Sequence, residues 1–264
     1  MAGPARAKRG DASTEPSEDM SRGPGRGGRL RAGGAEGCLV LWARPDGDPK
    51  LLRVLDAPER ARHAALRLPA DRARFAAAHA LARAALGCLL DAPPTALRLT
   101  RRCAHCGGPH GPPRLEPPAG VELSLAHSGD QVAVALAPRR VGVDVEQVTD
   151  LPDGDGVARQ ALTPAERAAV HGGPGLLTVW TRKEAAVKAT GHGLAAPLHD
   201  LVVTGPDEAA GVVSWTGAAA PTQAVHLADL SPAAGHVGCV ALIGGPAPVV
   251  EERAGDDLLA ALPR

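Results

Sequence analysis

Val141-Gly142-Val143-Asp144-Val145-Glu146, read together with Trp180-Thr181-Arg182-Lys183-Glu184-Ala185-Ala186-Val187-Lys188, sets the architecture of this chain. Side chains alternate along a strand, so the first run turns Val141, Val143 and Val145 to one face and Asp144 and Glu146 to the other. The second run is helical in composition and sets Glu184 and Lys188 one turn apart. Taken alone, the first is an ordinary strand with a solvated acidic face, and the second a surface ion pair of about 0.2–0.5 kcal/mol. Trp180, one turn before Glu184 and one of three tryptophans, argues that this helix is docked rather than free. Brought together, Asp144, Glu146, Glu184 and Lys188 suit a hard divalent cation beside a phosphate-bearing substrate.

Working outward, Thr163-Pro164-Ala165-Glu166 opens a helix with threonine as N-cap, proline at N1 and glutamate at N3. The helix over about 176–190 stops at Gly191. Strands are predicted near 199–204, 211–215, 223–228 and 237–243. Upstream, Cys38–Ala43 and Leu51–Leu55 read as strands, followed by a basic stretch with Arg60, Arg62 and Arg67. Asp71 stands where an N-cap should be, ahead of a helix over Arg72–Leu90. Its apolar stripe is Phe75, Ala78, Leu81, Ala85 and Leu89, and it ends at Asp91-Ala92-Pro93-Pro94. A strand at Leu97–Thr100, a Gly/Pro/His loop over 103–120, and strands Val121–Leu125 and Gln131–Ala137 around a His127–Asp130 turn complete this half. Asp150–Gly156 reads as a loop.

Each half is a helix followed by strands. The expected fold class is therefore α+β, with two similar α/β subdomains related by a pseudo-twofold and the active site in the cleft between them. The predicted boundaries are a disordered tail over 1–36, an N-terminal subdomain over 37–138, a C-terminal subdomain over 139–248 and a peripheral tail over 249–264 with a short Leu/Ala helix. Residues 1–36 are rich in Gly, Arg, Ser and Pro and hold too little apolar surface to offset ordering entropy.

Composition narrows the function classes. Aromatics are 2% of 264 residues, with no tyrosine, so base-stacking platforms are nearly excluded. The formal net charge of zero gives no global field for nucleic acid or anionic membrane. No apolar run reads as a span of roughly 20 residues, and the N-terminus has no apolar segment behind its basic residues. Five cysteines at 38, 88, 103, 106 and 239 are odd in number and scattered, which fits a reducing cytosol. Cys103-x-x-Cys106, with His105 and His110 nearby, has half the ligands of a zinc knuckle and reads more simply as a loop with incidental thiols. The expectation is a cytoplasmic monomer that binds neither nucleic acid nor membrane.

At this point the residues resemble a known family, the 4′-phosphopantetheinyl transferases, and within it the larger pseudo-dimeric class that activates surfactin-type and other secondary-metabolite synthases. The resemblance rests on Gly142–Glu146 and on Trp180–Lys188 continued by Ala189-Thr190-Gly191-His192-Gly193-Leu194. Supporting matches lie in Arg72–Arg83, Gly108-Pro109-His110-Gly111, Ser124–Asp130 and Thr163–Glu166. It implies that Asp144, Glu146 and Glu184 hold Mg²⁺, with Mn²⁺ as a substitute, against the pyrophosphate of coenzyme A. Lys188 is implied as a catalytic cation, and Glu166, Glu184 or a metal-bound water as the base that takes the proton of a carrier-protein serine. Arg60, Arg74, Arg83, Pro113, His127, Lys183 and Lys188 are the implied coenzyme-binding residues. The partner is an apo acyl or peptidyl carrier protein, and the products are the holo carrier and 3′,5′-ADP.

Two departures stand out. The family commonly has Gly-Lys-Pro where this chain has Gly111-Pro112-Pro113, and serine where it has Ala126. Arg114 is a candidate replacement for the missing lysine. The same departures leave open a non-enzymatic, carrier-binding relative with weakened coenzyme binding.

Overall fold

The computed structural model describes residues 1, 3, 37–102, 107–108, 111–149, 154–193 and 196–263. In chain order the elements are β1 (Gly37–Ala43), α1 (Ala57–Ala65), α2 (Pro69–Leu90), β2 (Arg98–Arg101), β3 (Pro113–Glu116), β4 (Glu122–Ser128), β5 (Gln131–Ala137), β6 (Val141–Gln147), α3 (Gly154–Ala161), α4 (Pro164–Ala169) and α5 (Gly172–Thr190). They continue with β7 (Leu201–Val203), β8 (Val212–Trp215), β9 (Val225–Leu230), β10 (His236–Ile243), β11 (Val249–Ala254) and α6 (Asp256–Ala260). The result is a mixed α/β fold with a four-stranded sheet β11-β1-β5-β4, a three-stranded sheet β6-β10-β9, and two-stranded ladders β2-β3 and β7-β8.

Strand alternation divides the apolar residues among three cores. On β1 and β5, Leu39, Leu41, Val132, Val134 and Leu136 face α2. Their neighbours Cys38, Val40, Ala133 and Ala135 face Val141, Val143, Val145, Val240 and Leu242 of the second sheet. Cys239, Ala241 and Ile243 on the far side of β10 meet α5. Helix, sheet, sheet and helix are thus stacked, and the even positions of β6 (Gly142, Asp144, Glu146) turn toward α5. Burial pushes the Cys38 thiol up to about 12 and Cys239 up as well, so both behave as core apolar groups.

α5 approaches β6 unusually closely. A Cβ on Gly142 would lie 2.0 Å from the Ala185 carbonyl and 2.4 Å from the Ala189 nitrogen. Only glycine lets the helix backbone rest directly on the strand. The helix ends at Gly191, which takes φ 80 as a left-handed cap. β4 and β6 lie side by side without a backbone ladder: Ser124 Oγ accepts from Val143 N at 3.1 Å, and Ser128 Oγ accepts from Gln147 N at 3.1 Å.

Several sequence expectations change. Leu51–Leu55 is not a strand, because Asp48 caps a 3-10 turn over Pro49–Arg53 and Leu51 plugs into the α2 core. α2 starts at Pro69 rather than after Asp71, with Leu68 at the N-cap position and Asp71 in the first turn, paired with Arg74. It is buried from Ala76 to Gly87 and not along one stripe, so it passes for a bilayer span by length and hydropathy while serving as a core helix. β3 falls within the expected 103–120 loop, and α3 begins inside the expected Asp150–Gly156 loop. His127 and Ser128 belong to β4, leaving a tighter turn at Gly129-Asp130.

The segment 249–264 is no peripheral tail. β11 pairs in parallel with β1, Trp42 Nε1 donates to Glu252 Oε2 at 2.8 Å, and Leu259 and Leu262 join the α2 core. The tail over 4–36 and the Cys103, His105, Cys106 and His110 cluster lie outside the described residues.

Candidate active site in the cleft between the two long helices

A cleft of about 450 Å³ opens between α2 and α5. One wall carries Asp144 and Glu146 from β6 and Trp180, Glu184 and Lys188 from α5; the other carries Phe75 and His79 from α2, with Arg62, Arg101 and His127 around it. The close seating of α5 on Gly142 explains the first wall. It puts Lys188 Nζ 2.6 Å from Asp144 Oδ1 and 3.2 Å from the Val143 carbonyl. Trp180, Glu184 and Lys188, each four residues apart, form one stripe facing the cleft. Trp180 also packs on the α5 core, so it both fixes the helix and lines the site.

The electrostatics of this wall are dominated by desolvation. Burial raises the Asp144 carboxyl to about 7; the Lys188 ammonium pulls it back, while Glu146 and Glu184 push it up. Burial likewise raises Glu184, with Lys188 opposing and Glu146 adding repulsion. Three carboxylates around one ammonium in a low-dielectric pocket leave negative charge uncompensated.

Among the described residues, no group of three or more His, Cys, Asp or Glu side chains gathers closely enough to cage a metal by itself. Lys188 occupies one Asp144 oxygen, and Ser128 Oγ donates to Glu146 Oε2 at 2.7 Å. Asp144 Oδ2 and Glu184 Oε1, however, are buried without a hydrogen-bond partner. Unmatched carboxylate oxygens of this kind fit a hard cation that takes one or two protein carboxylates and completes its shell with water and substrate phosphates.

Not every predicted site residue reaches the cleft. Glu166 and Lys183 pair with each other at 2.6 Å inside the C-terminal half, away from the lining. Glu166 Oε2 also accepts from Thr163 N at 2.8 Å and Oε1 from Val203 N at 3.0 Å, while Lys183 donates to the Ala161 and Leu198 carbonyls. Every donor of that ammonium is in use. Arg83 is equally buried, held by Glu59 at 2.7 Å, Asp56 at 2.8 Å and the carbonyls of Pro94 and Leu97. These three side chains tie elements together.

Arg60 donates to the Leu55 carbonyl at the start of α1, and Arg74 donates to the Gly129 carbonyl at 3.1 Å, which pins the β4–β5 turn to α2. Neither lines the cleft. Pro113 is buried opposite Arg101 in the β2–β3 ladder, and Pro112 rests against Gly191. Arg114 is exposed and faces Glu122 at 3.4 Å. Of the expected coenzyme set, His127 and Lys188 are in the cleft.

Arg62, Phe75, His79, Arg101 and Ser128 were not assigned to the site from the sequence, where Arg62 is only part of a basic stretch and Phe75 only packing. A signal existed for two of them. Glu59 is the buried residue of α1, so Arg62, three residues on, shares its inward face, and Arg60 does not. His79 lies one turn beyond Phe75 and stacks on it with ring centroids 4.0 Å apart.

Residues 140–241, which supply β6, α5 and β10, match the 4′-phosphopantetheinyl transferase superfamily. The chain is 28% identical over 180 residues to a Synechocystis sp. protein named "Putative 4'-phosphopantetheinyl transferase slr0495", covering 64% of this chain and 70% of that one. It is also 28% identical over 167 residues to the 4′-phosphopantetheinyl transferase HetI of Nostoc sp., covering 59% and 69% respectively. The matched segment carries Asp144, Glu146, Glu184 and Lys188, so the likeness falls on the carboxylate wall of the cleft.

Proposed function

We propose that the protein transfers the 4′-phosphopantetheine moiety of coenzyme A to a serine of an apo acyl or peptidyl carrier protein, with Mg²⁺ as the metal, and releases 3′,5′-ADP. The observation that carries this reading is the convergence of Asp144, Glu146, Glu184 and Lys188 on one cleft wall, with buried, unpartnered oxygens on Asp144 and Glu184. Asp144, Glu184 and Glu146 would hold the metal. When bound, it would neutralise pyrophosphate charge and orient the phosphorus under attack.

The serine oxygen bonds to the phosphorus that bears the pantetheine arm, and the bond from that phosphorus to the ADP oxygen breaks. Lys188, on the same wall, supplies positive charge where the leaving phosphate develops negative charge. Little else is asked of the protein beyond positioning and electrostatics. Glu166 is locked between a capping box and Lys183, which leaves Glu184 or a water held in the cleft to take the proton of the serine.

In this reading the two halves are pseudo-twofold subdomains of one monomer, working in the cytoplasm on carriers of secondary-metabolite synthases. The support is a repeated device, a buried cation on each long helix gripping the capping-box glutamate of a short one. The decisive measurement is the mass of several apo carrier proteins after incubation with the protein, Mg²⁺ and coenzyme A. Each modified carrier gains one phosphopantetheine; no gain on any carrier overturns the reading in favour of a binding-only relative.

A further inference from the structure

β4 and β6 belong to different sheets yet lie side by side, and two serines of β4 join them. Ser124 and Ser128 stand four residues apart, so they share one face of the strand. Each hydroxyl oxygen accepts from an amide of β6 at 3.1 Å, Ser124 from Val143 N and Ser128 from Gln147 N. As links between the strands the two are equivalent.

Ser128 differs in what it does with its proton. Its Oγ donates to Glu146 Oε2 at 2.7 Å, the length of a charge-assisted bond. Gln147 N directly follows the Glu146 carbonyl in the chain, so one hydroxyl grips Glu146 at both ends, by its carboxylate and by the amide after it. The two bonds close a ring through the whole Glu146 side chain. A glutamate left unheld would spread over several rotamers, and this one is confined to a single setting.

Glu146 lines the cleft beside Asp144 and Glu184. Asp144 is held in a like manner, its Oδ1 by Lys188 at 2.6 Å, with Oδ2 left unpartnered. In each carboxylate one oxygen is engaged by the protein and the other remains for a cation. Ser128 is in turn placed by its own corner, because Arg74 Nη1 donates to the Gly129 carbonyl at 3.1 Å and holds the β4–β5 turn against α2.

We propose that Ser128 is a positioning residue of the metal site, fixing Glu146 so that its second oxygen is available to a divalent cation in the cleft. Ser124, the matching link on the same strand, has no part in it. The assignment rests on the transferase reading only for the presence of a metal, and Ser128 acts through Glu146 alone. Removing a hydrogen bond that orients a metal ligand typically costs about 10–100-fold in metal affinity.

The test is Mn²⁺ binding to the full chain, without coenzyme or carrier, followed by loss of the paramagnetic resonance signal of the free ion. Ser128→Ala should weaken Mn²⁺ binding by about tenfold or more. Ser128→Thr, which keeps the hydroxyl, should restore most of the affinity, and Ser124→Ala should leave it unchanged while removing the same kind of strand link. Gln147 N lies at an exposed point where water replaces the lost acceptor, so Ser128→Ala keeps its fold. Ser124 is buried, and if its variant fails to fold, the contrast of alanine with threonine at 128 decides alone. Full affinity in Ser128→Ala, an equal loss in Ser124→Ala, a threonine variant as weak as the alanine one, or a wild-type protein that takes up no Mn²⁺ overturns the assignment even where carrier is modified. The expected pattern without any carrier modification supports it, and the transferase reading then falls alone.

Discussion

α2 and α5 play the same architectural part in the two halves, yet they sit on their sheets differently. α2 rests on a layer of Leu39, Leu41, Val132, Val134 and Leu136 side chains. α5 rests on β6 backbone to backbone at Gly142. Both helices bury a cation that grips the N3 glutamate of a capping box, Arg83 with Glu59 and Lys183 with Glu166. Both cations also bind a carbonyl at a 3-10 turn leading into a short strand, Pro94 on one side and Leu198 on the other. The shared device builds the scaffold, and the difference in seating builds the chemistry. Close seating lets Lys188 span to Asp144; looser seating leaves α2 room to present Phe75 and His79 as a flat wall.

The sharpest way to break this contrast is to remove the charge that close seating serves. Asp144→Ala is expected to lower transfer by about 10³-fold or more, the scale of losing a preorganised electrostatic group. The Lys188 side chain is 30% exposed, so the ammonium left without its partner can be hydrated and the small apolar replacement is tolerated. Melting temperature should stay close to the wild-type value. Near-normal turnover in this variant would remove Asp144 from the reacting centre.

The scaffold device comes next. Lys183→Met and Arg83→Met each strand a buried carboxylate, and each should cost about 3–5 kcal/mol of stability, read from denaturant midpoints. For Lys183 this separates scaffold from site, because activity per folded molecule, measured with stability restored by low temperature, should fall far less than in Asp144→Ala. A folded Lys183→Met protein with no transfer would return Lys183 to the cleft. Gly142→Ala follows, at about 1–3 kcal/mol for overpacking. Its added Cβ collides with helix backbone, so α5 must lift and carry Glu184 and Lys188 with it. Activity should drop more than stability alone explains, and an unchanged rate would mean that close seating is not needed.

These elements also mark how far the sequence could be read. The facing of Asp144 and Glu146, the Glu184–Lys188 spacing, the Thr163–Glu166 capping box and the Gly191 stop were legible because each is a local pattern that its own backbone geometry enforces. β11 was not, because its place beside β1 depends on partners 212 residues away, as between Gly37 and Val249. Glu166 and Lys183 were expected in the cleft and lie outside its lining for a related reason. A charged side chain looks alike in sequence whether it faces a cleft or a buried partner, and here the partner is another predicted site residue. Arg62 and Arg101 needed the fold to bring α1 and β2 to the same wall.

The smallest effect discriminates the two versions of the shared device. Thr163 does the one task of capping, its hydroxyl accepting from Glu166 N at 3.3 Å and donating to Glu166 Oε2 at 3.0 Å, so Thr163→Ala should cost about 1 kcal/mol, the ordinary value of an N-cap. Asp56 does two: it accepts from Glu59 N at 2.9 Å and also meets Arg83 Nη2 at 2.8 Å. Asp56→Ala therefore loses the cap and unpairs one guanidinium nitrogen. The carboxylate is 32% exposed, so water screens much of the added loss. The excess over Thr163→Ala should be about 0.5–1 kcal/mol, and Asp56→Asn, which keeps the cap but weakens the charge pair, should recover about half of the total. Equal costs for the two alanine variants would mean that Arg83 draws its hold from Glu59 and the carbonyls alone, making the two clamps equivalent in energy as well as in design.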